Sequence, residues 1–422
     1  MQRDAVREYV SGSLWVLPGA AIGVSLIAGG VLSLVRIPES SPFYHVVFQG
    51  TADDARQLLT VVSATMITVT GLVFSLTVVA LQIASGQFSP RLLRNFLRDR
   101  PNKIVLSVFV ATFAYSTAGL YTVGVSRGTR TSSVPRLAVS GSLVLAFASL
   151  AALVWFLNHL ARSIQIDVIL QVAEHNTLGV IASLPPQLEE AKAPKPPTEA
   201  ESLPSPVSGY VQTQHPERLV SAASAAGVTV VLLPRVGEHL VAEQPLASVW
   251  PGPVDPAMRA AILDAVLIGP ERTLQQDIGF GMRQLVDIAL KALSPAVNDP
   301  YTGVMVIDRL TTLLCALTTH PLGDVLLRDA EGTLRVAAPV PPFDDYLNLC
   351  CDQIRRYGAT EPQVLRALLR MLRKVADFTD DPDRRAALAR HARLVLEAGE
   401  QSIVLPEDKE GVRRAYGRLA QL

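Results

Sequence analysis

Charged residues are missing from four long stretches of this chain, although the whole sequence of 422 residues carries 38 basic and 38 acidic residues. The stretches cover residues 14–35, 58–84, 104–125 and 137–157, and none of them contains Asp, Glu, Lys or Arg. A helix needs roughly 20 apolar residues to cross the hydrocarbon core of a bilayer. The sequence therefore predicts four transmembrane helices within residues 1–160.

Several other features are scarce or missing. The formal net charge is zero, which argues against a nucleic-acid-binding protein. Only three cysteines occur, at Cys315, Cys350 and Cys351, and their spacing suits neither a disulfide framework nor a zinc site. Phosphate-loop, dinucleotide-binding, nucleophile-elbow and zinc-protease motifs are also missing. We therefore expect no metal, no cofactor and no enzymatic activity.

The first apolar stretch could be either a cleaved signal peptide or a retained helix. Its apolar run is longer than the roughly 7–15 residues typical of a signal peptide. It also contains Gly19 and Gly23, a small-xxx-small pair that permits close packing between membrane helices. These observations favour a retained helix.

Basic residues between the four stretches predict the orientation of the chain. Four spans place both termini on one side of the membrane. That side would hold eight basic residues, namely Arg3, Arg7, Arg91, Arg94, Arg98, Arg100, Lys103 and Arg162. The opposite side would hold five, namely Arg36, Arg56, Arg127, Arg130 and Arg136. Because basic loops stay in the cytoplasm, we expect an inner-membrane protein with both termini cytoplasmic.

The loop after the second stretch has a helical pattern of its own. Ser89 and Pro90 are suited to the cap and first position of a helix, and Arg91, Arg94 and Arg98 would share its polar face. Such a helix could contact anionic lipid at the membrane surface. The same arginines could instead serve only to fix the topology.

The second stretch is unusually rich in polar residues for a membrane span. Thr68, Ser75 and Gln82 recur every seven residues and fall on one helix face. Further hydroxyls lie on nearly the opposite face, at Ser63, Thr70 and Thr77. The first set could line a wet path if several copies met around an axis. Alternatively, the hydroxyls bond to backbone carbonyls or pack between helices.

The remaining sequence predicts three further regions. Residues 161–206 read as a helical extension and a Pro-rich linker, residues 207–254 as a small β-rich module, and residues 255–422 as a helical cytoplasmic domain. Helices are expected at 344–357, 361–378, 382–397 and 406–419. The segment 237–246 resembles the hammerhead hairpins of biotinyl- and lipoyl-type barrels, but without a turn lysine the likeness implies no attached cofactor. The predicted fold is thus mainly α, with a four-helix transmembrane region followed by a cytoplasmic α+β region that ends in a helical bundle.

The segment 277–303 offers two interpretations. Arg283, Asp287, Asn298, Asp299 and Tyr301 could form a polar pocket. The same segment could instead be an ordinary junction between helices, since Asp is a favoured N-cap and Pro a favoured first helical residue. Both interpretations stay open at this point.

Several runs carry a resemblance to a known family. They are 71–77 (GLVFSLT), 87–93 (QFSPRLL), 208–212 (SGYVQ), 277–284 (DIGFGMRQ) and 292–302 (ALSPAVNDPYT). Together they resemble a bacterial family of predicted membrane proteins known as domain of unknown function 2254, over nearly the whole chain. The resemblance implies the four-span layout and supplies no reaction, substrate or catalytic residue.

Three functions remain in competition. The first is a homo-oligomeric channel or permeation pathway with a cytoplasmic regulatory domain. The second is a membrane-anchored sensor or scaffold whose soluble domain binds a ligand or partner. An enzyme is the third and weakest, because several charged residues without a nucleophile and base define no reaction. The expected partners are the lipid bilayer and further copies of the chain.

Overall fold

A computed structural model describes residues 15–35, 37–38, 40–87, 100–123, 125–126, 129–130, 134–163, 165–184 and 192–419. The chain is mainly helical in this described part. It divides into two compact units, which we call the N-terminal unit (1–165) and the C-terminal unit (166–422).

Long helices account for most of the N-terminal unit. They are α1 (Val16–Leu34), α2 (Ala52–Gln87), α3 (Arg100–Thr122) and α4 (Arg136–Ser163). A short hairpin of β1 (Val125–Ser126) and β2 (Thr129–Arg130) precedes α4. Helix α2 begins before the apolar run because Thr51 and Asp54 cap it reciprocally, with Asp54 N donating to Thr51 Oγ1 at 3.2 Å and Thr51 N donating to Asp54 Oδ2 at 2.9 Å.

Helix α3 packs against α1, α2 and α4. Phe109 of α3 is fully buried in this contact. Two pairs of buried hydroxyls join α3 to α4: Thr112 lies 2.9 Å from Ser149, and Ser116 lies 2.6 Å from Ser142. Hydrogen bonds of this kind hold helices together where water cannot compete.

A glycine on α1 permits a close approach to α3. A Cβ atom added at Gly29 would lie 2.7 Å from the carbonyl oxygen of Tyr115 and 3.0 Å from the Cβ of Ala118. The sequence had suggested Gly19 and Gly23 for such a contact, but a Cβ at Gly23 would meet nothing within 4 Å. The tight helix contact of α1 is therefore at Gly29.

Apolar side chains cover the outward faces of these helices. Well-exposed examples occur on three of the four helices, at Val24, Ile27, Phe74, Phe147 and Val154. A water-soluble surface seldom exposes so many large apolar groups together. Five helices among the described residues are long and apolar enough to cross a membrane, namely α1 to α4 and the helix Pro300–Thr318.

The C-terminal unit contains two small sheets. Its strands are β3 (Glu201–Pro204), β4 (Gly209–Gln214), β5 (Thr229–Leu232), β6 (His239–Leu240), β7 (Pro245–Trp250), β8 (Val266–Gly269), β9 (Val325–Arg328) and β10 (Leu334–Ala338). Five of them form a sheet in the order β3-β7-β5-β10-β9, in which only β5 and β10 are parallel. The remaining three form an antiparallel sheet in the order β6-β4-β8.

The strands occupy a wider stretch than the predicted module at 207–254. Strand β3 lies inside the predicted linker, and β8, β9 and β10 lie inside the predicted helical domain. The segment that resembles a hammerhead hairpin is not one, because β6 pairs with β4 whereas β7 pairs with β3 and β5. Val211, Val230, Leu246, Ile262 and Val336 are fully buried in the core that the sheets share.

Nine helices of the C-terminal unit lie in the described part of the chain. They are α5 (Ile166–Ala182), α6 (Val220–Ala226), α7 (Pro256–Ala265), α8 (Ile278–Ala292), α9 (Pro300–Thr318), α10 (Phe343–Tyr357), α11 (Pro362–Ala376), α12 (Pro382–Ser402) and α13 (Pro406–Leu419). Helices α8 to α13 pack as a bundle, and α5 lies against α8 and α9. Arg309 Nη1 of α9 donates to Glu174 Oε2 of α5 at 2.8 Å.

Candidate functional sites

The residues predicted to line a pore lie on the exposed face of α2. Thr68, Ser75 and Gln82 are all exposed in the N-terminal unit. The hydroxyl of Thr68 donates to the carbonyl oxygen of Ala64, one turn earlier, at 3.1 Å. A Cβ added at Gly71, on the same face, would meet nothing within 4 Å. We call Ala64, Thr68, Gly71, Ser75 and Gln82 the small-polar stripe.

The second set of hydroxyls on α2 behaves differently. Thr70 Oγ1 donates to the Met66 carbonyl oxygen at 2.6 Å, and Thr77 Oγ1 donates to the Val73 carbonyl oxygen at 2.8 Å. Ser63 is buried, and its hydroxyl has no hydrogen-bond partner among the described residues. The hydroxyl groups of Thr70 and Thr77 are therefore satisfied by hydrogen bonds within the helix.

The basic residues that were predicted to contact the membrane surface, Arg91, Arg94 and Arg98, lie outside the described residues.

The predicted polar pocket is divided between two helices. Arg283 Nε pairs with Asp287 Oδ1 at 2.7 Å along α8. Asp299 caps α9, where its carboxylate accepts hydrogen bonds from Thr302 N at 3.1 Å and from Thr302 Oγ1 at 2.6 Å. The hydroxyl of Thr302, followed by backbone N–H groups, lowers the pKa of Asp299 despite some burial. Asn298 precedes the cap with a φ of 50°, in the left-handed region that Asn tolerates.

Tyr301 is 70% exposed and lines a surface groove that the sequence did not suggest. The groove has a volume of about 500 Å³ and lies between α9, α11 and α13. Four arginines line it, namely Arg366, Arg370, Arg373 and Arg418. We call it the arginine groove. Its lining comes from three separate helices, between Tyr301 and Arg418, so no local motif could predict it.

A buried ion pair at the start of α8 was also missed by sequence reasoning. Asp277 is buried, and its carboxylate accepts from Arg272 Nε at 2.8 Å, from Arg272 Nη2 at 2.9 Å and from Phe280 N at 2.8 Å. Burial raises the pKa of Asp277, and the Arg272 charge opposes that rise. The backbone at Gly237 reaches this carboxylate with a φ of 86°, a conformation that favours glycine. Asp277 is also the N-cap of α8, a position at which Asp is favoured.

A histidine is buried between α10 and α12. The His391 side chain is fully buried, and its Nε2 lies 3.0 Å from Asn348 Oδ1. Its Nδ1 makes no hydrogen bond within the described chain, and the nearest carboxylate oxygen, on Asp352, is 4.0 Å away. Burial, followed by the charge of Arg390, lowers the pKa of His391. The geometry suits a structural, uncharged imidazole.

Comparison with known proteins assigns the chain to a protein family. A family model described as "Predicted membrane protein (DUF2254)" matches residues 11–374. The chain belongs to this family. The match covers every helix from α1 to α10 and confirms the resemblance carried by the sequence motifs. This DUF2254 protein is therefore a predicted membrane protein, as its apolar helices also indicate.

Relatives of this DUF2254 protein are found in mycobacteria. Uncharacterised proteins of Mycobacterium tuberculosis and Mycobacterium bovis are each 45% identical to it over 431 aligned positions. Each alignment covers 100% of this chain and 82% of the relative. No solved structure matches the DUF2254 chain.

Proposed function

We propose that this DUF2254 protein is an inner-membrane protein whose copies assemble around α2 to form a permeation pathway for small polar solutes or ions. Helices α1 to α4 cross the membrane, both termini are cytoplasmic, and the C-terminal unit regulates the pathway. The observation that carries the proposal is that the small-polar stripe is exposed on α2, within a stretch that contains no charged residue. Hydroxyl groups of such a stripe can line a wet path when several copies meet.

The proposal assigns α9 to the C-terminal unit rather than to the membrane. Helix α9 carries Asp308 and Arg309, and charged side chains are costly at membrane depth. Both are engaged within the unit: Asp308 Oδ1 accepts from Arg370 at 3.1 Å, and Arg309 pairs with Glu174 at 2.8 Å. In addition, 56% of the most apolar 18-residue segment of α9 is buried. These features suit a core helix of a water-soluble unit.

The spacing of the stripe supports contact between copies. Ala64, Thr68, Gly71 and Ser75 are separated by four, three and four residues, so they fall on one helix face. Small residues at this spacing let two membrane helices approach closely. Larger apolar residues flank the stripe, and Phe74 is 63% exposed. The stripe is therefore suited to face an assembly axis while its flanks face lipid or neighbouring copies.

Disulfide cross-linking in native membranes tests the assembly. The variant Ser75→Cys is compared with Phe74→Cys, which projects about 100° away around the helix. Both carry Cys315→Ser, since Cys350 and Cys351 are buried and Cys315 is partly exposed. We expect oxidation to link copies through Cys at position 75 and not at position 74. Equal linking at both positions, or none at position 75, would contradict the proposed arrangement.

Transport by the purified protein in liposomes tests the pathway itself. We expect the native chain to release common monovalent ions, Ser75→Trp to block that release, and Phe74→Trp to leave it unchanged. The reason is that a bulky ring at position 75 would occupy the axis, whereas position 74 already holds an aromatic ring away from it. If correctly folded native protein releases no common ion from liposomes, the proposal of a permeation pathway is refuted.

The arginine groove favours a second candidate, a non-transporting membrane anchor whose C-terminal unit senses a ligand or holds a partner. Several guanidinium groups around one groove suit an anionic ligand. Liposome assays separate the two candidates: a sensor without a pathway releases no solute in any variant, yet it binds its ligand.

A further inference from the structure

The arginine groove combines a basic rim with an apolar floor. Leu369 and Ala415 are buried beneath it, and Val304 is half-buried beside them. Gln363 and the exposed Tyr301 complete the wall. A volume of about 500 Å³ lies within the range of sites for small molecules. The groove thus has room for a ligand with both a charged and an apolar part.

Three of the four arginines of the groove have no acidic partner among the described residues. Arg366, Arg370 and Arg373 follow one another at spacings of four and three residues, so they share one face of α11. Arg370 pairs with Asp308 at 3.1 Å. No Asp or Glu among the described residues lines the groove. Arg366, Arg373 and Arg418 form no ion pair with any residue in the described ranges.

Some arginines outside the groove are paired with acidic residues of the same bundle. Arg413, on α13 like Arg418, binds both carboxylate oxygens of Glu400 at 2.6 Å and 2.8 Å. Arg385 pairs with Asp380 at 3.1 Å. Like charges gathered in one groove repel each other, and this repulsion is relieved when a multiply charged anion enters. The groove differs from an ordinary solvated helix face because four arginines line one concave surface and no acidic residue among the described residues lines it.

We propose that the arginine groove binds a phosphate-bearing anion. The planar guanidinium donates paired hydrogen bonds that match phosphate oxygens. Arg366, Arg373 and Arg418 hold the phosphate groups, while Tyr301 and the floor at Leu369 contact the apolar part. Either a soluble nucleotide or pyrophosphate, or the head group of an anionic phospholipid, would supply this chemistry. The binding site does not depend on whether α2 forms a pathway.

Calorimetric titration of the detergent-solubilised full-length protein tests the proposal. Pyrophosphate and ATP are the soluble probes, and short-chain phosphatidylglycerol is the lipid probe. Arg366→Gln/Arg373→Gln removes two rim charges and leaves the Arg370–Asp308 pair intact. The matched control is Arg414→Gln, because Arg414 is an exposed arginine of α13 that does not line the groove. Thermal unfolding verifies that each variant is folded.

We expect at least one probe to bind the native chain, with a Kd at least tenfold weaker in the double variant and within twofold of native in Arg414→Gln. Preference for pyrophosphate or ATP assigns a soluble ligand, and preference for phosphatidylglycerol assigns a lipid. Binding should also weaken as salt is raised. The proposal is overturned if no probe binds at millimolar concentration, or if the double variant and the control lose affinity equally. These results are independent of solute release from liposomes.

Discussion

Replacing Gly29 by Ala should loosen the contact between α1 and α3. The added methyl group would lie 2.7 Å from the Tyr115 carbonyl oxygen, whereas carbon–oxygen contacts between helices settle at roughly 3.3–3.6 Å. The two backbones must therefore separate by about 0.6 Å at the least. Gly30, the next residue along α1, provides the matched control, since a Cβ there would meet nothing within 4 Å.

The expected magnitude follows from the comparison of the two variants. Replacing Gly by Ala within a helix favours the helix by about 0.8–1.0 kcal/mol, and this gain applies to both positions. Overpacking costs about 1–3 kcal/mol, and this loss applies to Gly29 alone. The difference in the free energy of unfolding between Gly29→Ala and Gly30→Ala is therefore about 1–3 kcal/mol. The loss of conformational entropy in the unfolded chain is the same for both substitutions, so it does not contribute to this difference.

Thermal unfolding of the detergent-purified protein measures this difference. For a unit of this size, 1 kcal/mol shifts the midpoint temperature by roughly 2–4 °C. The midpoint of Gly29→Ala should thus lie roughly 2–12 °C below that of Gly30→Ala. Trp15 and Trp155 lie in the N-terminal unit and Trp250 in the C-terminal unit. With Trp250→Phe in both variants, tryptophan fluorescence reports on the N-terminal unit. Equal midpoints, or a more stable Gly29→Ala, would refute the reasoning about close packing.

Three further predictions concern the C-terminal unit. Asp277→Ala should destabilise it by about 3 kcal/mol, the lower end for breaking a buried pair, because Arg272 is 32% exposed; chemical denaturation that shows a loss under 1 kcal/mol would contradict this. Asp299→Ala should lower the free energy of unfolding by about 1 kcal/mol, because the cap of α9 is lost. The pKa of Asp299 is lowered in the folded chain, so the difference in the free energy of unfolding between native and variant should shrink as the pH falls below about 4. The lowered pKa of His391 means that the unfolded chain binds its proton first, so the free energy of unfolding should fall as the pH drops below about 6.5; an equally steep decline in His391→Gln would exclude this histidine as the cause.

Local patterns in the sequence predicted much of the helical structure. Helices α1 to α4 each overlap one of the four uncharged stretches. Asp299 before Pro300 predicted a cap that the structure contains, and Asp381 before Pro382 caps α12 in the same way. These features are local, because a cap involves residues only two or three apart and an apolar run is continuous.

Features that join distant segments could not be predicted in the same way. Strands β5 and β10 pair in parallel, with Val230 opposite Val336, across about 100 residues of intervening chain. Each strand is only four or five residues long, so neither has enough alternation to be distinguished from a loop. The arginine groove depends on the packing of three helices, and its arginines look like an ordinary polar face when α11 is considered alone.

The length of α2 decides which position of the small-polar stripe is most informative. Its 36 residues extend about 54 Å, well beyond the roughly 30 Å of the hydrocarbon core. If α2 crosses the membrane as proposed, with the charged residues Asp53, Asp54 and Arg56 near its start at one interface, a crossing of about 20 residues ends near position 77. In that placement Gln82 would lie among the head groups, where water would satisfy its amide. Thr68 already bonds to its own helix, whereas Ser75 makes no hydrogen bond to a described residue. In the proposed assembly, a wet path or another copy would supply a partner for the Ser75 hydroxyl. Gln82→Leu should therefore leave solute release unchanged, whereas Ser75→Trp should abolish it.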